Sequence, residues 1–81
     1  MKELAEKEIK RMDEIFKKIK SNHKIVEDAR RYFEDSKYFF EKGMYVEAFE
    51  SAVISWAYLD ACAKFGLIEI PSSLKKYFTV E

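Results

Sequence analysis

Cys62 and His23 are the two residues whose side chains most often carry catalysis or bind metals, and each is the single residue of its type. A thiol nucleophile needs a nearby base and a lowered pKa. His23 lies in a predicted turn, with no spacing that would bring it to Cys62, and one cysteine with one histidine lacks the pattern of a zinc site. We therefore predict a packed, inert cysteine, a solvated histidine, and neither metal nor cofactor.

Acidic residues cluster near the middle of the chain. Helical di-metal sites built from carboxylates require Glu-x-x-His pairs, which this sequence lacks. A helical ribonuclease of the toxin kind would carry an arginine followed closely by a histidine, and that pattern is also missing. We predict solvated helix charges and no enzyme activity. The acidic residues concerned are Glu34, Asp35, Glu41, Glu47 and Glu50.

Asp60 stands in the least polar part of the sequence, beside Trp56 and Leu59. A half-buried carboxylate is costly unless it finds a hydrogen-bond donor. Tyr32, Tyr38, the Trp56 indole or a lysine could provide one. We predict a structural polar site at Asp60, with a ligand contact as the alternative.

The first part of the chain carries a weak basic stripe. Such a stripe could attract phosphates, although acidic residues four positions earlier neutralise much of it and no glycine-rich phosphate loop is present. It supports an alternative function, that of an RNA- or nucleotide-associated accessory protein. The stripe consists of Lys10, Lys17, Lys24, Arg30 and Arg31.

Composition points to one small helical domain. The 81 residues include 15 basic and 15 acidic side chains, so the overall charge favours neither nucleic acid nor an anionic membrane. Two glycines and one proline argue against disorder and against a turn-rich β fold. The single cysteine fits a reducing compartment and no apolar run approaches a membrane span, so we predict a cytoplasmic protein. Abundant lysine and glutamate, with no glutamine, are typical of thermophiles.

Apolar spacing predicts an all-α fold, a three-helix up-and-down bundle with a short C-terminal helical tail (residues 71–81). Ser21, Asn22 and His23 form a polar break after the first helix, although one bent helix from 2 to 42 is an alternative. Within a single domain of residues 1–81, the predicted helices cover residues 2–20, 23–42 and 45–65, with a short turn at 72–78.

The third predicted helix is apolar on more than one side. One face should pack on the other helices, with Trp56 against Phe33, Phe40 or Phe16. This face holds Tyr45, Ala48, Ala52, Trp56, Leu59 and Ala63, with Phe49 beside them.

The opposite side of that helix is a candidate partner face. Its apolar residues repeat at helical spacing and should be covered by Leu74, Tyr77 and Phe78 of the tail or by a second molecule. Two glutamates would form its polar rim. The face consists of Glu47, Glu50, Ile54, Tyr58 and Ala61.

Two glycines mark helix ends, because Gly43 and Gly66 each follow a long apolar-periodic segment and suit the left-handed C′ position. The run from Glu41 to Ala48, followed by Ala52, resembles the turn of a tetratricopeptide repeat. An array needs about three such units, and only one is present, so the similarity indicates a shared helical hairpin.

A closer resemblance is to a small archaeal family of unknown function, domain of unknown function 357, over about residues 25 to 70. The resemblance implies a three-helix up-and-down bundle of archaeal origin and brings no activity with it. Three segments carry it: Phe33-Glu34-Asp35-Ser36, then Gly43 with Ala48-Phe49-Glu50, then Trp56-Ala57-Tyr58-Leu59-Asp60-Ala61 leading to Phe65-Gly66-Leu67.

Taken together, these patterns predict a non-catalytic helical module for protein interaction or self-association. Its partner would be another protein or a second copy of the chain, as in a homodimer, and not a membrane. Nucleic acid is the less favoured partner because the basic stripe is largely neutralised.

Overall fold

The three predicted helices are present and pack against one another. The computed structural model describes residues 1–80, and the all-α bundle predicted from apolar spacing is confirmed. Within the described part of the chain no helix is long and apolar enough to cross a membrane. The elements are α1 (Lys2–Lys18), α2 (Lys24–Glu41), α3 (Tyr45–Lys64) and a 3-10 helix (Ser72–Tyr77) within the tail.

The first two helices are separate, so the alternative of one bent helix is wrong. Ile19 leaves α1 in an extended conformation, with φ −85° and ψ 120°. His23 is the N-cap of α2, where its Nδ1 accepts a hydrogen bond from the Ile25 N–H at 3.3 Å. Ser21 accepts a hydrogen bond from the His23 N–H at 3.1 Å. These local bonds satisfy backbone donors that a helix start leaves free.

Both glycines end their helices in the left-handed conformation, with φ 75° at Gly43 and 73° at Gly66. The Met44 N–H donates to the Phe39 carbonyl at 2.9 Å, as a Schellman motif requires. The equivalent bond after Gly66 runs from Leu67 to Cys62, also at 2.9 Å. The second motif turns the chain away from α3 and sets the direction in which the tail leaves.

Two buried contacts join the helices. The rings of Phe16 and Phe33 stack with centroids 5.2 Å apart and connect α1 to α2. The Ser55 hydroxyl donates to the Ala29 carbonyl at 2.6 Å and connects α3 to α2. Because the Ser55 hydroxyl is paired, its burial avoids the penalty of an unsatisfied polar group.

The packed stripe of α3 differs from the predicted one. Small residues lie at the centre, where they permit close approach of the helices, and Trp56 is displaced to the flank. Trp56 is half-buried and stacks on Phe78 of the tail with centroids 6.4 Å apart, a partner that the sequence did not predict. The buried residues of α3 are Ala48, Ser51, Ala52, Ser55, Leu59, Asp60 and Cys62.

The tail returns over α1 and α3. Leu74 is fully buried and Phe78 is 9% exposed, so the tail completes the core on the side of Trp56 and Asp60. The candidate partner face of α3 remains outside this cover. Of the two coverings expected from the sequence, the tail is thus ruled out for that face.

Candidate interaction site

The candidate partner face begins in the middle of α3. Ile54 is 38% exposed, Ala61 is exposed and Tyr58 is half-buried. Glu47 and Glu50 are exposed one to two turns earlier on the same helix. Their spacing places all five side chains along one side of α3, where the acidic pair borders the apolar residues.

This face continues toward the end of α3 as an apolar groove of about 320 Å³, which we call the open groove. Cys62 lies in its lining with 1% of its surface exposed. Ile25 at the start of α2 and Leu67 just beyond the end of α3 meet at the same end of this antiparallel pair, and they are 37% and 43% exposed. The groove is lined by Ile25, Ala57, Tyr58, Ala61, Cys62, Phe65 and Leu67.

Phe65 is the most exposed large apolar residue of the groove, at 81%. It is the C-cap of α3, directly before the left-handed Gly66. Since the chain turns at Gly66 toward the other side of α3, none of residues 66–80 covers the ring. Full burial of a phenylalanine side chain would stabilise by about 1.5 to 3 kcal/mol, so this position favours a contact with another molecule.

Tyr58 also lines a second, polar cleft of about 370 Å³ between α2 and α3. Its ring meets Tyr32 edge to face, with centroids 5.3 Å apart. The Tyr32 hydroxyl is the main cause that raises the pKa of Tyr58 above its ordinary value, with smaller contributions from burial and from the Asp28 charge. Arg31 is paired with Asp28 at 2.7 Å. The cleft thus offers a neutral phenol and a neutralised cation, and both suit a polar border to the open groove.

Three of the five residues of the basic stripe have partners within the chain. Arg31 is held by Asp28, as just described, and Lys17 pairs with Asp13 at 3.0 Å. Arg30 lies over the Phe16 ring, 4.7 Å from its centroid. The remaining members of the stripe, Lys10 and Lys24, are exposed.

Cys62 is one of the buried residues of α3. Burial raises the pKa of its thiol, which is opposite to the shift that a nucleophile needs. Across residues 1–80, no group of three or more His, Cys, Asp or Glu side chains is placed to hold a metal ion.

Asp60 is 6% exposed and its partners lie mainly in the tail. Its carboxylate accepts the Thr79 N–H at 2.9 Å and the Thr79 hydroxyl at 2.6 Å, and Lys64 lies 3.5 Å away. Burial acts to raise the pKa of Asp60, but the Thr79 bonds and the Lys64 charge outweigh it and lower the pKa below its ordinary value. A lysine was among the donors expected from the sequence, whereas Thr79 was not.

The candidate partner face predicted from the sequence did not include Ile25, Ala57, Phe65 and Leu67, which line the open groove. Phe65 could have been identified from the sequence. An aromatic residue directly before a C′ glycine lies where the helix ends, and few residues are available there to pack against it.

A three-helix bundle with an exposed apolar groove is the class of protein that this fold and surface define. The chain belongs to the family described as "Protein of unknown function (DUF357)", whose sequence pattern matches residues 2–68. The match therefore covers all three helices and ends shortly before the tail. No curated protein and no solved structure matches the chain.

Proposed function

We propose that this protein is a non-catalytic helical module that self-associates, and that the open groove of one copy receives Phe65 of a second copy. The observation that carries the proposal is an aromatic side chain, 81% exposed, at the edge of an apolar groove on the same chain. An exposed patch of this kind is typical of a protein interface.

A second copy is the favoured partner because the patch is self-complementary. A two-fold dimer pairs one surface with an identical one, so each copy must supply both a projection and a recess. Phe65 provides the projection, and the side chains of Ala57 and Ala61 leave room for it. The 15 basic and 15 acidic residues cancel, so two copies do not repel each other through net charge.

The dimensions of the patch suit a small dimer. From Ile54 to Leu67 it extends for about 20 Å along and just beyond α3, in a molecule whose longest dimension is 35 Å. A standard interface takes about 800 Å² from each partner. The chain exposes 5255 Å², so such an interface would cover roughly a seventh of it. Glu47, Glu50 and the polar cleft would then form a polar rim.

The alternative of an RNA- or nucleotide-associated role has less support. Phosphate binding depends on unpaired Lys and Arg side chains, and three of the five stripe residues already have partners within the chain. A cytoplasmic location, an archaeal origin and a thermophilic source remain predictions from the sequence.

Sedimentation equilibrium of the full chain tests the proposal. We expect a monomer–dimer equilibrium for the parent and a monomer for Phe65→Lys, because a lysine cannot enter an apolar groove without losing hydration. Lysine at the end of a helix suits the helix dipole, so the bundle should stay folded.

The matched control is Leu4→Lys, which makes the same replacement at an apolar residue of α1 that is 53% exposed. It should dimerise like the parent. A parent that stays monomeric up to millimolar concentration, or a Phe65→Lys variant that dimerises as well as the parent, would overturn the proposal.

A further inference from the structure

We infer that the surface between α1 and α3 is a peptide-binding site, that the tail occupies it within one chain, and that the tail of a second copy can replace it. We call this surface the tail site. It consists of Arg11, Glu14, Lys18, Trp56 and Asp60.

The tail site binds backbone groups of the tail through side chains of α3. The Trp56 indole N–H donates to the Tyr77 carbonyl at 2.6 Å. Asp60 accepts both the backbone N–H and the hydroxyl of Thr79. These bonds lie on either side of Phe78, which is in an extended conformation with φ −123° and ψ 163°. Main-chain hydrogen bonds that flank a side-chain anchor are a recurring mode of peptide recognition.

Side chains of the tail add selectivity to these backbone bonds. Phe78 stacks on Trp56 and Leu74 is fully buried, so two apolar anchors lie four residues apart. The Tyr77 hydroxyl donates to Glu14 at 3.0 Å. The site therefore selects a segment in which leucine is followed, three residues later, by consecutive tyrosine, phenylalanine and threonine. Residues 74–79 of the chain have this pattern.

Exchange of the tail between copies preserves every one of these contacts, which is why such swapping is a low-cost route to association. The tail is joined to α3 through residues 65–70, a stretch without helix or strand. The helices also have contacts of their own, since the Phe16–Phe33 stack and the Ser55–Ala29 hydrogen bond do not involve the tail. The family match likewise ends at residue 68.

This inference does not rest on the proposed function. The tail site and the open groove lie on different sides of α3, and the tail contacts described here do not involve Phe65. All binding measurements can therefore be made in the Phe65→Lys chain, where the proposed dimer through the groove is absent. Failure of one proposal leaves the other intact.

The test is fluorescence anisotropy with a labelled peptide of residues 70–80 added to the full-length chain. In the parent, the attached tail competes and binding should be weak. Phe78→Ser in the chain weakens its own tail and leaves the tail site unchanged, so the peptide should bind about tenfold more tightly. Adding Trp56→Ala to that chain should abolish the gain, and a peptide carrying Phe78→Ser should not bind.

Circular dichroism establishes that each variant remains helical. If Phe78→Ser unfolds the chain, Thr79→Val provides the measurement, since it removes one hydrogen bond to Asp60 and should still increase peptide binding severalfold. A folded, tail-weakened chain that binds the peptide no better than the parent would overturn the inference. So would peptide binding that survives Trp56→Ala.

Discussion

Both sides of α3 carry large aromatic residues, but the chain covers only one of these sides. On the tail side, Trp56 is half-buried, its indole N–H is paired and its ring is stacked on Phe78. On the open side, Phe65 leaves 81% of its surface exposed next to an apolar groove. A helix that is apolar on several sides must be covered on each. The chain covers one side itself, and we propose that a second copy covers the other.

Gly66 determines which side the chain covers. Its left-handed conformation ends α3 and directs the tail toward Trp56 and Asp60. An L side chain in that conformation is strained, so the direction is fixed by the residue type. Substitutions on the tail side should therefore change the stability of the monomer. Substitutions on the open side should change its association with a second copy.

The largest difference in stability between the two sides should appear when an aromatic side chain is replaced by alanine. Trp56→Ala removes the stack on Phe78 and the hydrogen bond to the Tyr77 carbonyl, and we expect it to cost about 2 to 3 kcal/mol. Phe65→Ala, the matched change on the open side, should alter monomer stability by less than about 0.5 kcal/mol.

Urea unfolding at low concentration, followed by circular dichroism, measures both effects. The low concentration keeps the proposed dimer from contributing to stability. Equal losses in the two variants would remove the distinction between the sides.

A smaller effect should follow from Asp60→Asn, which weakens the hold on Thr79. We expect a loss of about 1 to 2 kcal/mol at pH 7. Because the pKa of Asp60 is lowered by folding, its contribution is complete above the unfolded value of about 3.9 and is lost as pH falls through the folded pKa. The difference in unfolding free energy between parent and variant should therefore shrink between about pH 5 and pH 2.

The same pH series on Asp28→Asn provides the control. Asp28 borders the polar cleft beside the open groove and its partner Arg31 is exposed, so this variant should stay close to the parent throughout. If the difference in unfolding free energy between the parent and Asp60→Asn does not change with pH, the carboxylate charge does not hold the tail.

Local features of the fold were predictable from the sequence. The left-handed conformations of Gly43 and Gly66 follow from the residue type next to a helix end. The separation of α1 from α2 also depends on local bonds, those of Ser21 and His23.

The phase of α3 and the position of the tail were not predictable in the same way. When a helix is apolar on several sides, periodicity does not choose which side faces the core. The choice depends on Ser55, whose hydroxyl reaches Ala29 across the bundle, and on Asp60, whose partner Thr79 is far along the chain. Such pairs become visible only once the tertiary structure is known. For the same reason, Phe65 appeared to be an ordinary last residue of a helix.

Hydrogen–deuterium exchange of the full-length chain at two concentrations, one below and one above the dimerisation range, tests the central claim most directly. Peptide fragments resolve the open side, residues 54–67, from the tail, residues 71–80. Exchange in residues 54–67 should slow at the higher concentration, because a second copy covers the groove, while exchange in the tail should stay the same. Unchanged exchange in residues 54–67, or slowing confined to the tail, would contradict the claim that the two sides of α3 are covered in different ways.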